Sequence, residues 1–196
     1  MRELAPFVIV FGVCGAAALF VGHSLLRPQP ETFSPSPILA GPPPSPLEGP
    51  QLRTVDASDP LEWRFFSLGR GSVVENPVGA EWDLAFRRFQ IIVNGGGGFP
   101  GNAGVQALAE ADFDAVTLLP SRGYEQARVP GDSINPALDR WYDYSFFSHL
   151  LTPRPVVYGV RTAAGEHAKL ELLGYYCPGP QPGCITFRYE FLSTEP

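Results

Sequence analysis

The run from Trp82 to Asn94, Trp-Asp-Leu-Ala-Phe-Arg-Arg-Phe-Gln-Ile-Ile-Val-Asn, is the longest strand-like stretch of the chain, and four glycines, Gly95 to Gly98, stop it. Aromatic and β-branched residues dominate it, which suits a pleated surface buried on at least one side. The alternation is imperfect, since Leu84 and Phe86 share one face and Phe89 and Ile91 the other. Either a bulge near Arg87-Arg88 shifts the phase or both faces are covered. With 22 prolines and 21 glycines in 196 residues, turns are frequent and helices few. The composition therefore predicts an all-β protein with an antiparallel, sandwich-like domain.

The N-terminus is built differently. Ala5 to Leu26 is almost wholly apolar and matches the ~20 residues a helix needs to cross a bilayer. A cleaved signal peptide would have a shorter apolar core, and Phe11-Gly12-Val13 suits a lipoprotein site at Cys14 poorly, so residues 1–27 are read as an uncleaved transmembrane anchor. Gly12 with Ala16, and Ala18 with Gly22, have the small-residue spacing that lets another helix approach. His23, an ionisable residue inside the span, is a candidate porphyrin or chlorin contact. Residues 28–50 are rich in proline and predict a semi-rigid polyproline spacer.

Cys177 and Cys184 flank Pro-Gly-Pro-Gln-Pro-Gly between two strand-like runs. A disulfide closing this loop is the leading reading and requires an oxidising compartment; a zinc site is the rival, but soft ligands are scarce. Residues 51–196 are accordingly placed outside the cytoplasm, on the periplasmic side of a bacterial inner membrane crossed once.

Within that domain, strands are predicted over 62–68, 72–75, 82–93, 115–119, 140–147, 155–162, 167–176 and 185–191, with short helical turns at 104–111 and 135–139. The last strand is the cleanest, with Ile185, Phe187, Tyr189 and Phe191 on one face and Thr186, Arg188 and Glu190 on the other. Residues 163–166 and the cysteine loop each read as hairpin turns, so three consecutive antiparallel strands close the chain.

Catalytic templates are missing. No Gly-x-Ser-x-Gly elbow occurs, and only His149 and His167 lie beyond the apolar segment. The glycine tract lacks the Lys-Ser/Thr ending of a phosphate loop and is read as a close backbone approach or a flexible loop. Glu110, Asp112 and Asp114 lack the geometry of a calcium loop. A net charge of −6 without a basic cluster argues against a nucleic-acid partner. The aromatic stretch Trp141 to His149 is part core and part candidate wall of an apolar pocket, with His149 at its mouth.

Several segments in order, namely Trp82 to Arg88 running into Asn94-Gly95-Gly96, Trp141-Tyr142, Ser148-His149, Tyr158 to Thr162, Ala168-Lys169-Leu170 and Ile185 to Tyr189, make residues 60–191 resemble the HmuY-like haem-binding proteins. The resemblance implies a β-rich extracytoplasmic domain that captures haem, in its best-known members between two histidines. Here it points to His149 as a haem ligand. His167 is expected to face outward beside its turn, and Met1 is the sole methionine, so a His/Met pair within the domain is excluded.

Two functions follow. One is a non-catalytic accessory or scaffold subunit of a respiratory or photosynthetic membrane complex, requiring no cofactor and held by the bilayer and by transmembrane and periplasmic subunits. The other is a membrane-tethered binder of haem or another small apolar ligand.

Overall fold

A computed structural model describes residues 5–25, 28–41, 47–108, 112–128 and 135–195, and the side chains of residues 10–22 within the first of these. Its one helix, α1, spans Ala5–Leu25. Eleven strands follow: β1 Gln51–Asp56, β2 Arg64–Ser67, β3 Ser72–Val74, β4 Leu84–Arg87, β5 Gln90–Val93, β6 Gly104–Leu108, β7 Tyr142–Tyr144, β8 Leu151–Pro153, β9 Val157–Arg161, β10 His167–Cys177 and β11 Gln181–Phe191. They form a five-stranded antiparallel sheet in the order β1-β11-β10-β9-β6, a four-stranded sheet β3-β2-β4-β5, and the two-stranded ribbon β7-β8.

The two larger sheets share one core. Val55, Ile185, Phe187, Tyr189, Leu170 and Val160 of the first meet Phe66, Leu84, Phe86, Ile91 and Val93 of the second. Phe187 sits at the centre, with the Phe66 ring 5.2 Å and the Phe86 ring 5.5 Å away. Its face of β11 is the one the alternation predicts, and β9, β10 and β11 form the expected closing meander. The outer face of the four-stranded sheet is apolar too: Trp82, Ala85 and Ile92 pack with Trp63, Phe65 and Phe99. Coverage on both faces is thus one half of the reason the Trp82–Asn94 run fails to alternate.

The other half is that the run is two strands. Arg87 pairs with Gln90, so Arg88-Phe89 is a two-residue hairpin loop. Arg88 has φ 55° and Phe89 has none in the left-handed region, the arrangement of a type II′ turn, which ordinarily takes glycine first. Neither residue announces a turn, and the fold supplies what the local sequence lacks. The Arg88 amide donates to Ala57 O at 2.8 Å, and its guanidinium donates to Ser58 O at 3.1 Å and Pro182 O at 2.9 Å. Arg87 lies over the Trp63 ring at 4.4 Å and donates to Gln90 Oε1.

Three local expectations are corrected. Residues 104–108 are strand β6 and not a helical turn, because all five pair with β9 and burial by a neighbour overrides weak local preference. Residues 135–139 form a turn in which Asn135 accepts from the Ala137 and Leu138 amides. Residues 115–119 are not a strand: the segment packs across the five-stranded sheet, where Phe113 lies beneath Lys169 and Arg188 at 4.4 Å and 4.1 Å. Strands β1 and β8 were not anticipated.

The glycine tract is a close approach. A Cβ at Gly95 would meet the Ala103 carbonyl, and one at Gly96, where φ is 68°, the Ala127 carbonyl. Asn94 anchors it by donating to Gly79 O and Trp82 O while its Oδ1 accepts from Gly101.

The proline-rich segment does not extend away as a spacer over its described length. Phe33 N donates to Tyr176 O and Ser36 N to Thr54 O, and Leu39 N donates to Ser72 Oγ. The Phe33 ring fills the space over Gly174 that a Cβ would need. This strap covers the open edge of β1, and such edges need covering.

Among the described residues, which include only the side chains of residues 10–22 of α1, no helix is long and apolar enough to cross a membrane. Gly12, Ala16, Ala18 and Gly22 have described side-chain positions on α1, and a Cβ at either glycine would meet nothing within 4 Å. The His23 side chain lies outside the described residues.

Candidate ligand-binding site

Three hairpins converge at one end of the sandwich. The β4-β5 loop brings Arg88 and Phe89, the β10-β11 loop brings Pro180 and Pro182, and the β7-β8 ribbon brings Tyr142, Tyr144, Ser148, His149, Leu150 and Leu151. With Tyr175 and Tyr176 of β10 as floor, they enclose an open cavity of about 680 Å³, within the ~300–1,000 Å³ typical of small-molecule sites. The disulfide Cys177–Cys184 is formed and fixes the β10-β11 hairpin at this rim. It also settles the zinc alternative: the one candidate metal cluster among the described residues is Asp56 with these two cysteines, and sulfurs bonded to each other are not thiolate ligands.

The ribbon is tied down from both sides. Trp141, buried in the core, donates Nε1–H to Phe89 O at 2.8 Å, and Leu151 N donates to Tyr176 Oη at 2.9 Å. Its tip is a closed turn, with Ser145 N donating to Leu150 O and His149 N to Ser145 O, both at 2.8 Å. His149 adopts φ 57° there and its imidazole is exposed at the cavity mouth. Tyr144 Oη lies 2.7 Å from Nδ1. When Nδ1–H donates to that oxygen, the Nε2 lone pair is left free for a metal, the arrangement ligating histidines ordinarily have.

Burial pushes the phenols of Tyr142 and Tyr175 above their ordinary value; an acidic neighbour, Asp139, adds to it for Tyr142, while Arg88 partly offsets it for Tyr175. The wall therefore presents neutral, flat, largely apolar rings. Arg88 is the positive charge at the rim.

His167 is not part of this site. It opens β10, whereas Tyr176 lies nine residues on, about 30 Å away at ~3.3 Å per residue. It sits beside Tyr124, with Nε2 buried and unpartnered, and burial followed by the Arg161 charge holds it below the usual histidine range. The expected outward-facing histidine is thus half-buried, and a two-histidine clamp from His149 and His167 is geometrically impossible. Glu110 lies outside the described residues; Asp112 Oδ1 accepts from the Asp114 amide and Asp114 lies 3.7 Å from Arg188, a surface arrangement.

Sequence reasoning placed His149 at a pocket mouth and expected the disulfide, but missed Arg88, Phe89, Tyr175 and Tyr176 as lining residues. The Arg-Arg pair inside an apolar run was the available signal for the first two. The tyrosines had none beyond their position before Cys177.

The fold and cavity define a β-sandwich domain with an aromatic-lined cavity at a disulfide-fixed rim. The HmuY protein family matches residues 60–189, and the chain belongs to it. Solved structures share the fold. The apo HmuY analog of Tannerella forsythia has a TM-score of 0.57 at 20% identity, over 73% of this chain and 95% of that one. A putative HmuY-like heme-binding protein of Bacteroides vulgatus has a TM-score of 0.55 at 19% identity, over 71% and 90%. Apo PinO of Porphyromonas gingivitis has a TM-score of 0.58 at 15% identity, over 76% and 100%. No curated protein matches the chain.

Proposed function

We propose that this protein is a non-catalytic, extracytoplasmic haem-binding protein held at a membrane by α1. The observation that carries the reading is the aromatic cavity with His149 at its mouth, Nδ1 bound to Tyr144 and Nε2 free. Family membership supports haem over the alternative of a respiratory or photosynthetic scaffold subunit. The donor set would offer the iron one imidazole nitrogen. His149 would hold the iron through Nε2, Tyr144 would orient the imidazole, the tyrosine rings would flank the porphyrin, and Arg88 would meet a propionate. Bound iron would supply the redox-active, coordinating centre of the complex. Burial disfavours ionisation of Tyr142 and Tyr175, which argues against either of them as a tyrosinate ligand. The disulfide supports an oxidising compartment, and the apolar sequence of Ala5–Leu25 supports a single-pass anchor with the domain on the periplasmic side.

Titration of the full chain in mild detergent with hemin should give a Soret band of the high-spin, single-histidine type. In His149→Ala that band should weaken at least about tenfold in affinity, the loss of ~1.4 kcal/mol or more. Unchanged affinity in the variant, or a low-spin bis-histidine spectrum in the parent, would defeat the assignment.

A further inference from the structure

Beside the cavity, and not lining it, the ribbon tip holds Phe146 and Phe147 in solvent at 77% and 80% exposure. From Tyr144 to Leu151 the chain carries no acidic or basic residue other than His149. The turn is held shut by its own backbone bonds and propped by Tyr176, so the two rings project from a rigid support. These two rings touch each other edge to face at 6.0 Å, and among the described residues after the strap no other two large exposed apolar side chains are consecutive.

The chain leading from α1 arrives at the same end. Thr32 bridges Tyr176, the residue whose hydroxyl receives the Leu151 amide at the base of the turn. Six residues, 26–31, separate Leu25 from Thr32, so the end of α1 lies no further than about 25 Å from that bridge even if they are fully extended. The strap thus cannot release the aromatic tip far from wherever α1 ends.

We propose that the Tyr144–Leu151 turn docks on the lipid bilayer, with Phe146 and Phe147 inserted at the headgroup boundary, so that the mouth of the cavity opens onto the membrane surface. This rests on the reading of α1 as a membrane anchor. An uncharged turn with projecting phenylalanine rings suits the interface, where apolar side chains such as Phe bury into the headgroup/acyl boundary, and the short strap holds it there. His149 and Tyr144, on the same turn, would stand at the level of the headgroups, where a flat apolar ligand dissolved in lipid could reach the tyrosine wall without crossing water.

The test uses the full chain in nanodiscs containing doxyl-labelled phosphatidylcholine, labelled at single cysteines with an NBD fluorophore and without reductant, so that the disulfide stays closed. Cys14 of the unaltered chain reports on α1. In a Cys14→Ser background, Phe147→Cys reports on the tip and Ala164→Cys on the opposite end of β10. Quenching of roughly half the emission at position 147 is expected for a probe ~5–10 Å into the headgroup boundary, with none at 164. Quenching at Cys14 but not at 147 would overturn the docking while leaving the anchor intact. Absence of quenching at both would overturn the anchor and the docking together. A blue shift at 147 without lipid quenching would mean that a protein, such as a second copy, covers the tip, and would also overturn the proposal. Phe146→Cys repeats the tip measurement with the other ring retained.

Discussion

Arg88 occupies a backbone conformation that suits glycine, yet its side chain joins three parts of the chain, and these two facts can be separated by mutation. Arg88→Ala removes the guanidinium bonds to Ser58 O and Pro182 O and keeps the left-handed backbone. At about 1 kcal/mol net for each hydrogen bond, the loss is about 2 kcal/mol. Arg88→Gly loses the same two bonds but relieves a strain of ~1–2 kcal/mol. It also adds back ~0.5–1 kcal/mol of unfolded-chain entropy. Glycine should therefore be the less damaging substitution by roughly 0.5–1 kcal/mol, against the usual order of the two residues inside an element. The three tryptophans, Trp63, Trp82 and Trp141, all belong to the β domain, so guanidinium unfolding of the full chain in detergent, followed by their emission, reports on that domain alone. If Arg88→Gly proves equal to or less stable than Arg88→Ala, the hairpin is not held in the strained turn described.

Reducing the disulfide reopens a loop of eight residues, 177–184, worth about 2.5 kcal/mol in loop-closure entropy; the guanidinium midpoint should fall by roughly 0.5–1 M, and an unchanged midpoint with both thiols titrating would refute this. Tyr158 and Tyr189 are buried with phenol pKa values pushed up to about 12 from 10. Folding favours their neutral forms, so their contribution is full below pH 10 and lost as pH rises to about 12, at ~3 kcal/mol each. Tyrosinate absorbance should accordingly rise in step with alkaline unfolding, and ionisation of all seven tyrosines in a still-folded domain would contradict it. Phe187→Ala should cost about 3–5 kcal/mol by emptying the centre of the core, read as the loss of a cooperative transition at moderate denaturant.

Much of the domain was legible because its strands near the C-terminus carry their own pattern. β11 alternates cleanly over one buried face, and the cysteine loop marks its partner. The Trp82–Asn94 run was harder, because the signal of a hairpin is normally Asn-Gly or a similar pair, and here Arg88-Phe89 takes the turn with support from Ala57, Ser58 and Pro182, residues distant in sequence. Strand β6 failed for a related reason: its extended form is imposed by β9 and by the bridge from Glu125 to Val105 on its other edge. The proline-rich strap read as a spacer because polyproline geometry needs no partner; that Gly174 leaves room for Phe33 is visible only once β10 and β11 are paired.

The candidate site shows why convergence hides from sequence. Among the described residues, four non-glycine positions have positive φ, and three of them, Arg88, His149 and Pro180, line the same cavity. Each sits on a different hairpin, separated by tens of residues, and of the three only histidine is a type that the conformation tolerates more readily. Strain of this kind persists only where surrounding structure over-determines it, and it collects at ligand sites. The supports are present here: Pro182 O and Ser58 O hold Arg88, Ser145 O holds His149, and the disulfide closes the loop bearing Pro180. The second histidine shows the converse. His167 is half-buried at the far end of β10, away from the cavity, while His149 lies at its mouth on a turn closed by Ser145, the placement expected from the sequence for each except that His167 is not turned outward.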